Sequence, residues 1–329
     1  MKTQKIARWL SAVALAALAS CGGGGGGDGG GSTPSTFPVT YAAGSEDLAA
    51  FNLLNLERER CGFGGLTQNA QLDAAAKAHA DYQIFNNLIS HVEVAGNPNG
   101  FTGVLPSDRI AAAGYTDAGA VTDEIAGFIG INQKTGLGER ALRNLLNAPY
   151  HLQGLMSGFR DVGLSVRSSL DTGTASSTVI LQIDAAYKKS VDPQLLAASE
   201  VHTYPCEGTS GVNRQLTNEE PNPVPGRNLS TTPLGSSVYV SVRVGNVLTI
   251  SSASMIQIGT GQSVTLRAPI TAANDPYGPC GTGCFKPHQA YVVADAPLQA
   301  ATSYQVSING SNNGIPFART FTFTTGTGG

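Results

Sequence analysis

Three residues of this 329-residue chain combine side-chain types and surroundings that can do chemistry: His91, Glu124 and His151. His91 closes the run Ile89-Ser90-His91, Glu124 sits in Thr122-Asp123-Glu124-Ile125-Ala126, and His151 follows Asn147-Ala148-Pro149-Tyr150. Two neutral imidazoles and a carboxylate can hold a Zn²⁺-type ion with one coordination position left open, or can share protons with a bound ligand. A carboxylate beside two histidines favours their charged forms, so a site made of the three is pH-sensitive. The expectation is that they meet in one cleft of an exported α/β domain. Other catalytic signatures are missing: there is no Gly-x-Ser-x-Gly elbow, His-Glu-x-x-His helix, phosphate loop or dinucleotide fingerprint. His79 reads as a packed helix-face histidine, His202 and His288 as loop residues without catalytic work, and Arg109 as a helix-surface ion-pair partner.

The elements that must position these residues are legible as periodicity and punctuation. Ser45 caps a helix carrying Leu48, Phe51 and Leu54 and ending at Cys61-Gly62; a second, alanine-rich helix runs from about Asn69 to Asn87. Gly96-Asn97-Pro98-Asn99-Gly100 breaks the chain, and Pro106-Ser107 opens a short helix stopped by Gly114. Ala120 to Phe128 reads as a strand, Gly138 to Asn147 as a helix that Pro149 stops, and Asp161 to Val166 with Thr178 to Tyr187 as a hairpin. Helices around a small sheet predict a three-layer α/β/α sandwich over residues 45–189. Residues 190–234, rich in Pro, Asn, Glu and Thr, read as an extended connector. Residues 235–329 carry short β-rich runs (Ser237 to Val244, Val247 to Ile250, Ser263 to Ala268, Ala290 to Ala294, Tyr304 to Ile308, Arg319 to Thr324) and predict an all-β sandwich. The fold class is therefore α+β.

The N-terminus carries an export pattern. Lys2, Lys5 and Arg8 precede an apolar run from Trp9 to Leu18, too short to span a bilayer. Leu18-Ala19-Ser20-Cys21 resembles a bacterial lipobox, which implies removal of residues 1–20 and lipidation of Cys21, with Gly22 favouring outer-membrane sorting. Residues 21–44 then serve as a Gly/Ser/Pro-rich tether. Losing those three cations and no acid takes the formal charge from −3 to −6, and the mature chain has no basic cluster, which argues against nucleic acid as a partner. With 41% hydrophobic and 13% charged residues, the chain can bury substantial cores. Cys61, Cys206, Cys280 and Cys284 form an even set suited to disulfides in an oxidising compartment. Cys280-Gly281-Thr282-Gly283-Cys284 can close on itself, leaving Cys61 with Cys206; four cysteines allow three connectivities, and a zinc site is the alternative for the short pair.

Residues 47 to about 188 resemble a CAP domain (the cysteine-rich secretory, antigen 5 and pathogenesis-related-1 family, also called SCP), in its bacterial YkwD-like branch. The pieces are Leu53-Leu54-Asn55-Leu56-Glu57-Arg58, Ser90-His91, Asp108-Arg109 through Gly114-Tyr115, Glu124, Asn147-Ala148-Pro149-Tyr150-His151 and Asp161-Val162-Gly163-Leu164. The ending, Phe321-Thr322-Phe323-Thr324-Thr325-Gly326, resembles bacterial immunoglobulin-like modules. The CAP resemblance implies two histidines and one or two acids facing each other across a cleft, here His91, His151 and Glu124. Asp123 and Ile125 depart from the family's Gly-Glu-Asn around that acid. The second acid has no clear counterpart; Glu93, two residues from His91 in an extended segment, is the substitute, and Glu139 the weaker candidate.

Two functions follow from that resemblance. One is a lipid-anchored envelope protein, held to the membrane through Cys21, whose cleft takes a metal ion, lipid, small ligand or envelope component, with the β-sandwich as spacer or adhesive module. The other is an extracytoplasmic hydrolase of peptides or envelope polymers, with His91 and His151 holding a divalent metal such as zinc and Glu124 as general base.

Overall fold

Helix α1 (Glu46–Arg60) starts where the Ser45 hydroxyl accepts a hydrogen bond from the Leu48 amide, and Glu46 and Asp47 fill the first turn, where the helix dipole favours acid. A computed structural model describes residues 38–97, 99–278 and 284–328; Cys21, Cys280, the expected signal segment and most of the tether lie outside the described residues. After the short strand β1 (Thr67–Gln68), the Asn69 side chain caps α2 (Ala70–Asn86) through the amides of Gln71 and Leu72, and Asn87 closes it in the left-handed region. Then come α3 (Pro106–Ala112), β2 (Ala118–Ile129), α4 (Leu137–Asn147), α5 (Pro149–Leu155), β3 (Asp161–Ser168), α6 (Ser169–Thr172) and β4 (Thr178–Lys188). Pro149 does end α4 as expected, but as the first residue of α5 it also starts the helix that carries His151.

The first sheet has the order β1-β3-β4-β2, with β1 parallel to β3 and the other pairs antiparallel. Strand β4 is buried on both faces, with Gln182 and Asp184 as the polar residues of one of them. Val179, Leu181, Ile183 and Ala185 join a core with α1, α4 and α5, whereas Ile180 and Ala186 pack with residues of α2. On the edge strand β2 the same alternation sends Ile125 toward Ala80 and Ile84 of α2, and Ala126 into the α1 and α4 core. Asp123 and Glu124, two positions earlier, inherit that split.

The rest of the chain is β-rich. Its strands are β5 (His202–Tyr204), β6 (Thr209–Val212), β7 (Gln215–Leu216), β8 (Leu234–Gly235), β9 (Ser237–Ser241), β10 (Leu248–Gln257), β11 (Ile270–Thr271), β12 (Gln289–Val293), β13 (Ser303–Asn312) and β14 (Ile315–Thr325). Residues 190–234, expected as an extended connector, contribute β5, β6, β7 and the first residue of β8 to these pairings. Two four-stranded sheets, β10-β13-β14-β6 and β11-β12-β9-β5, enclose a core of Val238, Val240, Val292, Val306, Ile308 and Phe323 among others. The run from Ser263 to Ala268 does not form the expected strand. Its two isolated bridges go to Ile256 of β10 and to Ala294 just past β12, so it crosses between the sheets rather than joining one.

The sheet of β9 and β12 is buried on both sides. Val238, Val240, Ala290 and Val292 face the β core, while Tyr239, Tyr291 and Val293 belong to the same cluster as Phe51, Leu145 and Leu155 of the helical half. A Cys61–Cys206 disulfide ties the end of α1 to the start of this β region, across 145 residues. Cys280, the partner expected for Cys284, lies outside the described residues. Among the described residues no helix is long and apolar enough to cross a membrane.

Candidate functional site

His91, Glu124 and His151 come together around the edge strand β2. The two imidazole rings lie 6.0 Å apart, tilted by 34°. Glu124 is buried, and its Oε1 accepts a hydrogen bond from Thr122 Oγ1 at 2.7 Å. It lies against α5 at Gly154, one helical turn beyond His151, where an added Cβ would come within 1.8 Å of Glu124 Oε1. Only glycine admits the carboxyl there.

Each of the two histidines has its own carboxylate. His91 Nδ1 is 3.1 Å from Asp123 Oδ1, and Asp123 Oδ2 accepts from Arg109 Nη2 at 2.9 Å. Arg109 Nη1 also donates to the backbone carbonyls of His91 (3.1 Å) and Val104 (3.4 Å). The expected surface ion pair is therefore wrong for Arg109: its side chain is fully buried and clamps the loop that presents His91. On the other side, His151 Nδ1 is 3.3 Å from Glu219 Oε1, which also accepts from the Tyr150 amide at 3.0 Å.

Glu93 does not stand beside His91. Its carboxylate meets His79 Nδ1 at 2.9 Å and accepts from the amides of Thr102 (2.6 Å) and Gly103 (3.2 Å), all buried or part-buried. The i, i+2 argument required an extended segment, and His91–Val94 is bend and coil. His79 is fully buried, with its other nitrogen on the Ser90 carbonyl at 2.8 Å, so it holds the loop one residue before His91. Glu139, in the first turn of α4, does not line the cleft. The acids that do serve the histidines, Asp123 and Glu219, were missed for different reasons. Asp123 stood next to the chosen Glu124, and strand alternation, which sends neighbours to opposite faces, could have found it. Glu219 lies 68 residues from His151, and nothing local in the sequence couples the two.

Burial sets the charges. Removal from water lifts the Glu124 carboxyl to about 7, against the pull of His151, the Thr122 hydroxyl and His91. Burial alone would lower His151, but the Glu219 hydrogen bond and the charges of Glu219, Glu124 and Asp123 outweigh it and lift the ring to about 9. His91 is raised chiefly by its hydrogen bond to Asp123. Burial likewise lifts Glu219, opposed by His151 and by the amides of Tyr150 and His151. At neutral pH the site thus presents a protonated His151 imidazole and a half-protonated Glu124 carboxyl, with His91 biased toward its charged form by Asp123.

The site opens into a cleft of about 920 Å³ lined by His91, Asp123, Glu124 and His151 together with apolar side chains such as Leu105, Val121, Met156 and Phe159. Tyr239, Val242, Lys286 and His288 of the β-rich half form part of the same lining. Among the described residues no group of three or more His, Cys, Asp and Glu is arranged to hold a metal ion. Both Nδ1 atoms are already taken by carboxylates, which leaves one Nε2 on each ring.

No protein-family model matches the chain, and no curated protein matches it. Solved structures similar to part of it include the following two. An outer surface protein from Borrelia burgdorferi is 18% identical, covering 45% of this chain and 97% of that one, with a TM-score of 0.36. An extracellular protein containing a SCP domain from Bacillus anthracis str. Ames is 21% identical, covering 44% of this chain, with a TM-score of 0.33. The match spans 40% of that Bacillus protein's length.

Proposed function

We propose that this chain is an exported, lipid-anchored CAP-type protein whose cleft binds an amphiphilic small ligand, with the polar head on the His91 and His151 imidazoles and the apolar body along the groove. The carrying observation is one cleft of about 920 Å³ in which two paired imidazoles and Glu124 adjoin mostly apolar walls. That is the size and mixture of a site for a drug-sized ligand: apolar area for affinity, a few polar groups for orientation. The motif order from Leu53 to Leu164 supports the CAP reading, as do helices on both faces of the first sheet. Two facing sheets around a valine and aromatic core support an immunoglobulin-like module. Export agrees with the Cys61–Cys206 bond, since disulfides persist in oxidising compartments. Anchoring rests on the lipobox-like sequence at Cys21.

A dansyl-labelled medium-chain fatty acid tests the reading by fluorescence. Wild type should enhance and blue-shift the emission, and His151→Ala should weaken binding by roughly tenfold, the scale of one lost charge-assisted hydrogen bond, with circular dichroism unchanged. No enhancement in wild type would remove the amphiphile reading. A hydrolytic reading comes second, favoured by Glu124 holding a proton near neutrality beside both rings. Zinc binding by calorimetry, lost in both His91→Ala and His151→Ala, would move that reading forward.

A further inference from the structure

Helix α5 cannot hold itself in place. Its N-cap is Ala148, which has no side-chain hydrogen bond to give, and Pro149 opens a helix of only 7 residues. The groups that fasten it come from the second half of the chain. The Ser237 amide donates to Asn147 Oδ1 at 3.0 Å, and the Ser237 hydroxyl to the Asn147 carbonyl at 2.8 Å. The Tyr150 hydroxyl donates to Asp275 at 2.8 Å, and its ring packs against Phe285 with centroids 5.5 Å apart. Glu219 Oε1 bridges the Tyr150 amide and the His151 ring. Glu219 is 4% exposed, and its second oxygen has no hydrogen-bond partner among the described residues.

We propose that Glu219 is the positioning residue for His151, and that the β-rich half is a working part of the cleft rather than a spacer behind it. A carboxylate this deep needs charge and hydrogen bonds to offset the loss of water, and among the described residues its Oε1 finds them in the first-turn amides of α5 and the imidazole. The same contact fixes the ring. With Nδ1–H directed at Glu219, Nε2 is the nitrogen left for a ligand, and its orientation follows a residue outside the helical half. The tyrosine face of β9 and β12 completes the arrangement: Tyr239 belongs to the core of the helical half and also lines the cleft. Ligand binding is therefore coupled to the packing between the two halves. This inference does not depend on which ligand occupies the cleft.

The test is the imidazole N–H spectrum of the full chain, read by ¹⁵N-edited NMR with His91 as internal control. Wild type should show hydrogen-bonded Nδ1–H signals from His151 and His91, apart from the ring N–H signal of the fully buried His79. In Glu219→Gln, which keeps an acceptor but loses the charge, the His151 signal should move upfield while the His91 signal stays; in Glu219→Ala the His151 signal should vanish. An unmoved His151 signal in Glu219→Gln overturns the proposal, and that isosteric variant decides the matter even if Glu219→Ala does not fold. Binding of the dansyl probe to Glu219→Gln should weaken several-fold. If the probe fails on wild type, the amphiphile reading falls while the NMR result still judges Glu219.

Discussion

His91 and His151 hold equivalent places in the cleft by opposite means. His91 sits on a loop, its side chain 48% exposed, and its partners are near in sequence: Asp123 on the adjacent edge strand and Arg109 on α3, all within 32 residues. His151 sits on a helix, 14% exposed, and takes its carboxylate from 68 residues downstream. The exposed ring is held by a buried polar chain that runs from Asp123 through Arg109 toward Glu93 and His79. The buried ring is held by one carboxylate and by the packing of a whole second half. A loop residue needs an extensive local scaffold because its backbone supplies no order, whereas a helix residue needs its helix fixed from outside.

The sharpest way to break this comparison is Arg109→Met. It removes the cation between two buried carboxylates, Asp123 and Glu93, so urea denaturation should show a loss of about 3–5 kcal/mol, the usual cost of stranding a buried charge. If the variant folds, hydrogen exchange should rise over residues 88–105 and stay unchanged in α5. Equal loosening of both would mean that the two arms are not independent.

Second in size is a pH effect from the groups between the arms. Glu124 is raised from the ordinary carboxylate range to about 7, so it contributes stability below about 4.5 that is lost as pH rises through 7. His151, raised to about 9, contributes stability below about 6.5 that is lost as pH rises through 9. Stability from this site therefore falls steadily from pH 5 to pH 9. Glu124→Gln should flatten the lower part, gaining about 2–3 kcal/mol on wild type at pH 8 relative to pH 5. The fatty-acid probe should also bind wild type more tightly as pH falls through 7, because the carboxyl near its head loses charge; in Glu124→Gln that slope should disappear. A slope that persists would move the titrating group elsewhere.

How much of this the sequence carried depends on the range of the interaction. Ser45 as a cap, Pro149 as a stop and Asn69 as a helix boundary were readable, because each acts through neighbours one to three residues away. So were the α+β character and the convergence of three chemically apt residues. Arg109 was visible as a motif position but not as a buried clamp, because burial of a helix residue depends on what packs over it. Tyr239 and Tyr291 lie in runs expected as sandwich strands, with no facing assigned to either. Both face the core of the helical half, which alternation does not reveal, because it shows that two faces differ without showing what covers the second. Glu219, in a stretch of Asn, Glu and Pro, carried no local mark at all.

Asp123→Asn separates the arms more gently. It keeps the shape of the His91 contact but removes the charge that raises that ring, and it leaves Arg109 unneutralised nearby. The His91 titration should shift downward by more than that of His151, and because the buried Arg109 keeps Glu93 beside it the loss of stability should be smaller than in Arg109→Met.

The smallest effect belongs to Glu93, and it is the most pointed. Its carboxylate belongs to His79 and to the Thr102 and Gly103 amides, not to His91. Glu93→Gln should lower the His79 pKa further, since that ring keeps an acceptor but loses the charged one that offsets its burial and the Arg109 charge. The His91 titration and probe affinity should stay within error. A clear shift at His91 would restore Glu93 as the acid of the exposed arm and would make the polar chain beneath it a relay. No shift leaves Asp123 in that role and makes the chain a scaffold, so that the two histidines differ in how they are held but not in what they offer the ligand.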